Sequence, residues 1–158
     1  MPVFAKILTV CLLLLAFGTP LAAQPDIAQI REQALAGDAW AQLNYGAAFD
    51  HGLSGIPADP VEAVRWYRKS AAQGVDKAQF NLAHCLATGH GTPQDYVESR
   101  LWMRKAAAQG MADAQFLLGV MLSEGLGGEI EAAAGRDWLQ RVAEAGQADA
   151  AAYLQNLR

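Results

Sequence analysis

From residue 24 onward, apolar side chains recur at intervals of three or four positions, with polar residues filling the gaps. Ala78, Leu82 and the pair Cys85/Leu86 stand at i, i+4 and i+7/i+8, which places them on one face of a helix. Trp102, Ala106 and Ala107 mark a second apolar face, with Arg100, Arg104 and Lys105 expected on its solvated side. Between the two faces, Gly89-His90-Gly91 ends the first helix and Pro93 cannot continue it. Asp95 stands where an N-cap is wanted for the second helix. Asp59 holds the same place one unit earlier and is followed by Pro60, whose fixed φ suits a first turn. Gly74, Gly110 and Gly146 follow the second helices, where a residue without Cβ can take the left-handed conformation that closes them. The pattern predicts helix–turn–helix, repeated.

The repetition has a fixed period. Trp66, Trp102 and Trp138 are spaced alike, as are Gly74, Gly110 and Gly146. Ala41, Ala78, Ala114 and Ala150 keep the same register, and so do Gln42, Gln79 and Gln115. The first unit carries one extra residue, in its turn. Three units follow, at 38–74, 75–110 and 111–146. Residues 24–37 resemble the last turns of a second helix and 147–158 the start of a first one, so both are expected to be caps. Gln155 replaces the small residue at 46, 83 and 119, where it would block a further helix from docking. One helical pair cannot bury its own apolar face, so the units must stack. The fold class expected is all-α, an α/α superhelical solenoid.

Composition sharpens this picture. The chain has 158 residues, of which 32 are alanine, the best helix former. On the repeat register Ala41/78/114/150 and Ala71/107/143 become contact positions between helices. Gly46, Ala83 and Gly119 extend the seam, and the three tryptophans fill the space the alanines leave. Strand-favouring residues are too few for a β-rich fold, and two cysteines, Cys11 and Cys85, exclude a disulfide scaffold.

Residues 1–23 read as an address. Lys6 precedes an apolar stretch from Ile7 to Phe17, Gly18-Thr19-Pro20 breaks it, and Leu21-Ala22-Ala23 offers small residues for cleavage. This layout predicts a signal peptide and an exported protein. The alternative is an anchor retained in the membrane, for which the stretch falls short of the roughly 18 residues of a spanning helix. No integral span is expected after cleavage. The remaining chain has eleven basic and sixteen acidic side chains. That sign disfavours nucleic acid as a partner. Cys85 is then alone, and reads better as a small buried apolar residue than as a reactive thiol.

The second unit, DKAQFNLAHCLATGHGTPQDYVESRLWMRKAAAQG, closely resembles the Sel-1-like repeat family. Ala78, Gln79, Leu82, Gly89, Gly91, Asp95, Trp102, Lys105, Ala106, Ala107 and Gly110 match that family's pattern, while Ala83, Thr92 and Ser99 depart from it. The third unit is weaker, with Gly135 and Val142 in alanine places. The resemblance implies a tetratricopeptide-like α/α solenoid and a protein-interaction scaffold. It also implies an adaptor or regulator of the bacterial envelope, with the periplasm as its location. A cysteine-rich branch of the family is linked to penicillin binding and β-lactam hydrolysis, but carries a disulfide in each repeat that this chain lacks. A purely structural envelope role is the remaining alternative.

Catalytic chemistry finds little support. Ser54, Ser70, Ser99 and Ser123 are the only serines, and none opens an S-x-x-K motif. His51, His84 and His90 are the only histidines, without C-x-x-C or H-x-x-x-H spacing, so neither a metal nor another cofactor is expected. The surface is the better candidate. Positions opposite the Ala/Leu faces of the first helices form three rows on the expected concave side. They are Trp40, Asn44, Ala47 and His51, then Lys77, Asn81, His84 and Thr88, then Asp113, Leu117, Val120 and Glu124. Trp40 departs from the polar residues at its place in the other units. It reads either as a binding anchor, since aromatic residues dominate hot spots, or as a cap packed on the first helix. The partner expected is a protein or a peptide.

Overall fold

The computed structural model describes residues 26–156. They form eight helices: α1 (Ile27–Leu35), α2 (Ala39–His51), α3 (Pro60–Ala72), α4 (Asp76–Thr88), α5 (Tyr96–Ala108), α6 (Ala112–Glu124), α7 (Ala132–Glu144) and α8 (Ala148–Asn156). Each helix packs on its neighbours in sequence, so the stack grows along one axis. The described residues contain no strand. The architecture is an all-α solenoid.

The caps explain why helices start and stop where they do. Asp59 and Asp95 accept the N–H of Glu62 and Glu98 at 3.0 and 2.9 Å, and Asp38 does the same for Ala41 at 2.7 Å. Gly52, Gly89 and Gly125 end the first helices in the left-handed conformation, with φ of 66°, 75° and 72°.

The core is a chain of small clusters. Ala63, Ala78, Ala83, Ala106 and Ala114 are fully buried, as are Leu82, Leu118 and Leu139 between them. Trp66 is buried, while Trp102 and Trp138 lie half-exposed at the edge of the core. A cation roofs each ring: Lys69 and Lys105 at 3.8 Å from the centroid, and Arg141 at 5.5 Å.

Glutamines stitch successive units. Gln42 donates to the Ala34 carbonyl at 3.1 Å, and Gln73 donates both to the Gly37 carbonyl (3.0 Å) and to Gln42 Oε1 (2.8 Å). One unit on, Gln79 donates to Ala71 (3.2 Å), and Gln109 to Gly74 and to Gln79 Oε1, both at 2.9 Å. In the third unit Gln115 still donates to Ala107 at 3.1 Å, but Ala145 stands where Gln73 and Gln109 stand. Its backbone, φ −75° and ψ −1°, is close to theirs. Ala145→Gln is therefore expected to complete the rung and add about 0.5–1.5 kcal/mol of stability. An unchanged urea midpoint would show that the rung contributes nothing there.

The two glycines of the G-x-G turn do different work. The first is the helix cap. The second touches the preceding unit: a Cβ on Gly91 would lie 2.1 Å from the Pro60 carbonyl oxygen, and one on Gly127 2.1 Å from that of Tyr96. Each turn therefore rests backbone-to-backbone on the start of the previous unit's second helix. In the first unit Ser54 takes the place of Gly91, with φ of 55°, and a Cβ on the neighbouring Gly55 would meet nothing within 4 Å.

Arg100 departs from expectation. It is buried, not solvated: its guanidinium donates to the Glu129 carbonyl at 3.1 Å and pairs with the Glu131 carboxylate. The periodicity of α5 alone could not reveal this, because the cover comes from the turn of the next unit. Arg68 on α3 binds Glu98 on α5 in the same inter-unit sense, with Nη2 to Oε2 at 2.9 Å. Arg104 and Lys105 are exposed, as expected.

Candidate interaction groove

An open groove of about 730 Å³ lies between α2 and α4 and is also lined by the turn after α4. The end of α2 supplies Ala47, Asp50 and His51, while α4 supplies Asn81, His84 and Thr88. The capping conformation of Gly89 turns the chain so that His90 faces the same space. Tyr67 reaches it from α3, and Cys85 and Phe80 form part of its wall.

Asp50 is the electrostatic centre. One carboxylate oxygen accepts the Tyr67 hydroxyl at 3.1 Å, and the other accepts from His90 Nε2 at 2.7 Å. The second bond joins the first unit to the second, across 40 residues of sequence. Burial pushes the Tyr67 hydroxyl well above the ordinary phenol range, and the charge of Asp50 and its hydrogen bond add to that. The Cys85 thiol is pushed up to about 11, first by burial and then by Asp50. It stays a thiol at neutral pH and is a poor nucleophile, as its burial suggested.

Five of the twelve row positions line this groove: Ala47, His51, Asn81, His84 and Thr88. Trp40 lies outside it, near the start of α2, and is 53% exposed. Asn44 and Lys77 are also exposed on α2 and α4 and do not line the groove. The third row behaves differently. Leu117 is half-buried against the cluster of Met103, Leu118 and Met121, and Val120 against that of Leu139 and Val142. Asp113 and Glu124 are exposed, and Glu124 accepts the Tyr153 hydroxyl of α8 at 2.7 Å.

Sequence reasoning missed Asp50, Tyr67, Phe80 and His90. For three of them a signal was present, as breaks in the repeat. Tyr67 takes the place of Met103 and Leu139, Asp50 that of Ala87 and Ser123, and His90 that of Leu53 and Leu126. Residues that recur build the stack, whereas residues that interrupt the recurrence serve something the stack does not need.

Other chemistry is thinly represented. Ser70, Ser99 and Ser123 direct their hydroxyls to the carbonyls of Ala39, Ala83 and Gly119 at 2.7, 2.7 and 2.8 Å. Among the described residues no group of three or more His, Cys, Asp or Glu is placed to hold a metal ion. None of the described helices is long and apolar enough to cross a membrane.

The Sel1 repeat model matches three consecutive segments, residues 41–75, 76–111 and 112–147, which together span most of the chain. The chain belongs to the Sel1 repeat family. A Sel1 repeat protein from Oxalobacter formigenes has a similar structure, with a TM-score of 0.73 at 30% identity, covering 83% of this chain and 98% of that one. A protective antigen of uropathogenic Escherichia coli with an SLR fold gives a TM-score of 0.79 at 34% identity, over 83% of this chain and 28% of the antigen. Cysteine-rich protein B of Helicobacter pylori shares the fold alone, at 13% identity and a TM-score of 0.61. By sequence, an F-box protein of Arabidopsis thaliana is 43% identical over 53 residues, which is 34% of this chain and 14% of that protein's length. Sel1 repeats generally form scaffolds that bind proteins. In Sel1 terms, the turn glycines Gly89 and Gly91 are the cap and the inter-unit contact described above.

Proposed function

We propose that this Sel1 repeat chain is an exported adaptor that holds a protein or peptide partner along the face formed by its first helices. The observation that carries the reading is the groove between α2 and α4. Its Asp50, Tyr67 and His90 interrupt the repeat register and are joined to one another by hydrogen bonds. The other units carry Ala87 and Ser123, Met103 and Leu139, and Leu53 and Leu126 at these places, so the stack itself needs no carboxylate, phenol or imidazole there. Export is supported by the Lys6, Ile7–Phe17 and Leu21-Ala22-Ala23 pattern, which lies outside the described residues.

The test is cross-linking and affinity measurement with the purified protein and its captured partner. Trp40→Ala and His84→Ala are each expected to weaken binding about tenfold or more, since exposed aromatics and groove centres dominate hot spots. Glu144→Gln, at the far end of the stack, is the control. If both variants bind every partner as tightly as the parent, the first-helix face is not the interface. For export, the protein recovered from envelope fractions is expected to begin at Gln24. Recovery only of intact protein in the cytoplasm would end that part of the reading.

A further inference from the structure

The chain has three histidines, and all three line the groove between α2 and α4. They come from three different places: His51 from the end of α2, His84 from α4, and His90 from the turn that follows. Nothing in the repeat brings them together. In the third unit Glu124 holds the place that His51 holds in the first, and Val120 holds the place of His84.

Imidazole is the side chain whose charge ordinarily changes between about pH 5 and 8. Tyr67 from α3 and Cys85 from α4 are both pushed upward and stay neutral. Asp50 from α2 is the groove's one carboxylate, and both its oxygens are already engaged, by the Tyr67 hydroxyl and by His90 Nε2–H. With one carboxylate and three imidazoles, the formal charge of the lining runs from −1 with all imidazoles neutral to +2 with all protonated. Lys77 adds a fixed positive charge two turns back along α4, and it makes no ion pair within the described residues. The acidic residues Asp113 and Glu124 lie on α6, beyond the groove. His51 and His84 are exposed, and Asn81 adds a neutral donor beside them, while the Thr88 hydroxyl is already given to the His84 carbonyl at 2.9 Å. The imidazoles do not converge to share a metal ion. They line one open groove from three separate segments, which suits several acceptors on one chain better than a single small ion.

We propose that this groove takes an acidic peptide segment, rich in Asp and Glu, and binds it more tightly as its imidazoles gain protons. The proposal rests on the reading that the first-helix face holds the partner, and it names that partner's chemistry and its control by pH. Peptide carboxylates remain charged down to about pH 5, so lowering the pH from 7.5 adds positive charge to the groove without removing negative charge from the ligand. By linkage, the bound peptide in turn favours imidazole protonation.

The experiment uses untagged purified protein and three short fluorescein-labelled peptides: Asp/Glu-rich, Lys-rich and Gly/Ser. Fluorescence anisotropy is read at about pH 5.5 and pH 7.5. The Asp/Glu-rich probe is expected to bind about tenfold tighter at the lower pH. In His51→Gln/His84→Gln that difference is expected to shrink to about twofold or less, with the circular dichroism spectrum unchanged because both side chains are exposed. Equal binding of the acidic probe at the two pH values overturns the proposal, as does a pH dependence that survives in the double variant. A Lys-rich or Gly/Ser probe that binds best, and is weakened by the groove substitutions, overturns the acidic assignment but leaves the first-helix face as the interface. No probe binding, together with partner capture unaffected by Trp40→Ala and His84→Ala, removes both.

Discussion

Gly91→Ala is expected to destabilise the protein by about 3–5 kcal/mol, a large effect for adding one methyl group. Two penalties combine. Gly91 has φ of +69°, which alanine adopts at a cost of about 1 kcal/mol. Its Cβ would also lie 2.1 Å from the Pro60 carbonyl oxygen and 2.4 Å from the carbonyl carbon. Those atoms belong to the first turn of α3, which cannot yield without shifting the helix. The turn must then lift off the preceding unit, carrying His90 away from Asp50. Gly55→Ala is the matched control. Gly55 also has positive φ, +80°, but a Cβ there meets nothing within 4 Å, so only the conformational penalty of about 1 kcal/mol is expected. Urea denaturation followed by circular dichroism compares the two. If both cost the same, the second glycine of the turn is a matter of backbone conformation and not of contact between units.

Leu118→Ala is expected to cost about 3–4 kcal/mol. Leu118 is fully buried in the cluster of Met103, Ala106, Ala107, Ala114, Met121 and Leu122. The alanine neighbours have no side-chain freedom with which to fill the space, so much of the cavity should stay open, which keeps the cost away from the lower end of the range for such truncations. The position matters as much as the size. In a stack each unit is held by its neighbours, so damage in α6 should loosen α6–α8 before the units ahead of them. Hydrogen exchange is expected to show protection lost first in α6, α7 and α8, with α2 and α3 retaining more. Uniform loss across all helices would mean the stack unfolds as a single block, and a cost below about 1 kcal/mol would mean that the alanine-rich core relaxes after all.

Most of the stack was legible because its physics is local or repeated. Helix faces follow from spacing, caps from Asp59, Asp95 and the glycines after each helix, and stacking from a period that recurs three times. The alanine register predicted the buried positions Ala41, Ala78, Ala114 and Ala150. The groove was only half legible. His51, Asn81 and His84 were placed on the first-helix face by periodicity, and they line it. Trp40 and Lys77 share those helices but not the groove, since a row drawn on a helical wheel does not say where along the helix a hollow forms. Leu117 and Val120 look like exposed row positions on the wheel of α6, yet side chains from the helices around them half-cover both.

Arg100 and Asp50 mark the limit of what one chain of letters can decide. The amphipathic pattern, the caps and the repeat depend on residues within a few turns of one another, so sequence spacing carries them. Arg100 is buried by Glu129 and Glu131, 29 and 31 residues away, and Asp50 is held by Tyr67 and by His90, 17 and 40 residues away. Those partners meet only once successive units dock, at a separation determined by the backbone contact of Gly91 on Pro60 and of Gly127 on Tyr96. Local order specified helices, and the repeat specified that they stack. The closeness of that stacking, decided by glycine against carbonyl, built a groove out of residues that interrupt the pattern.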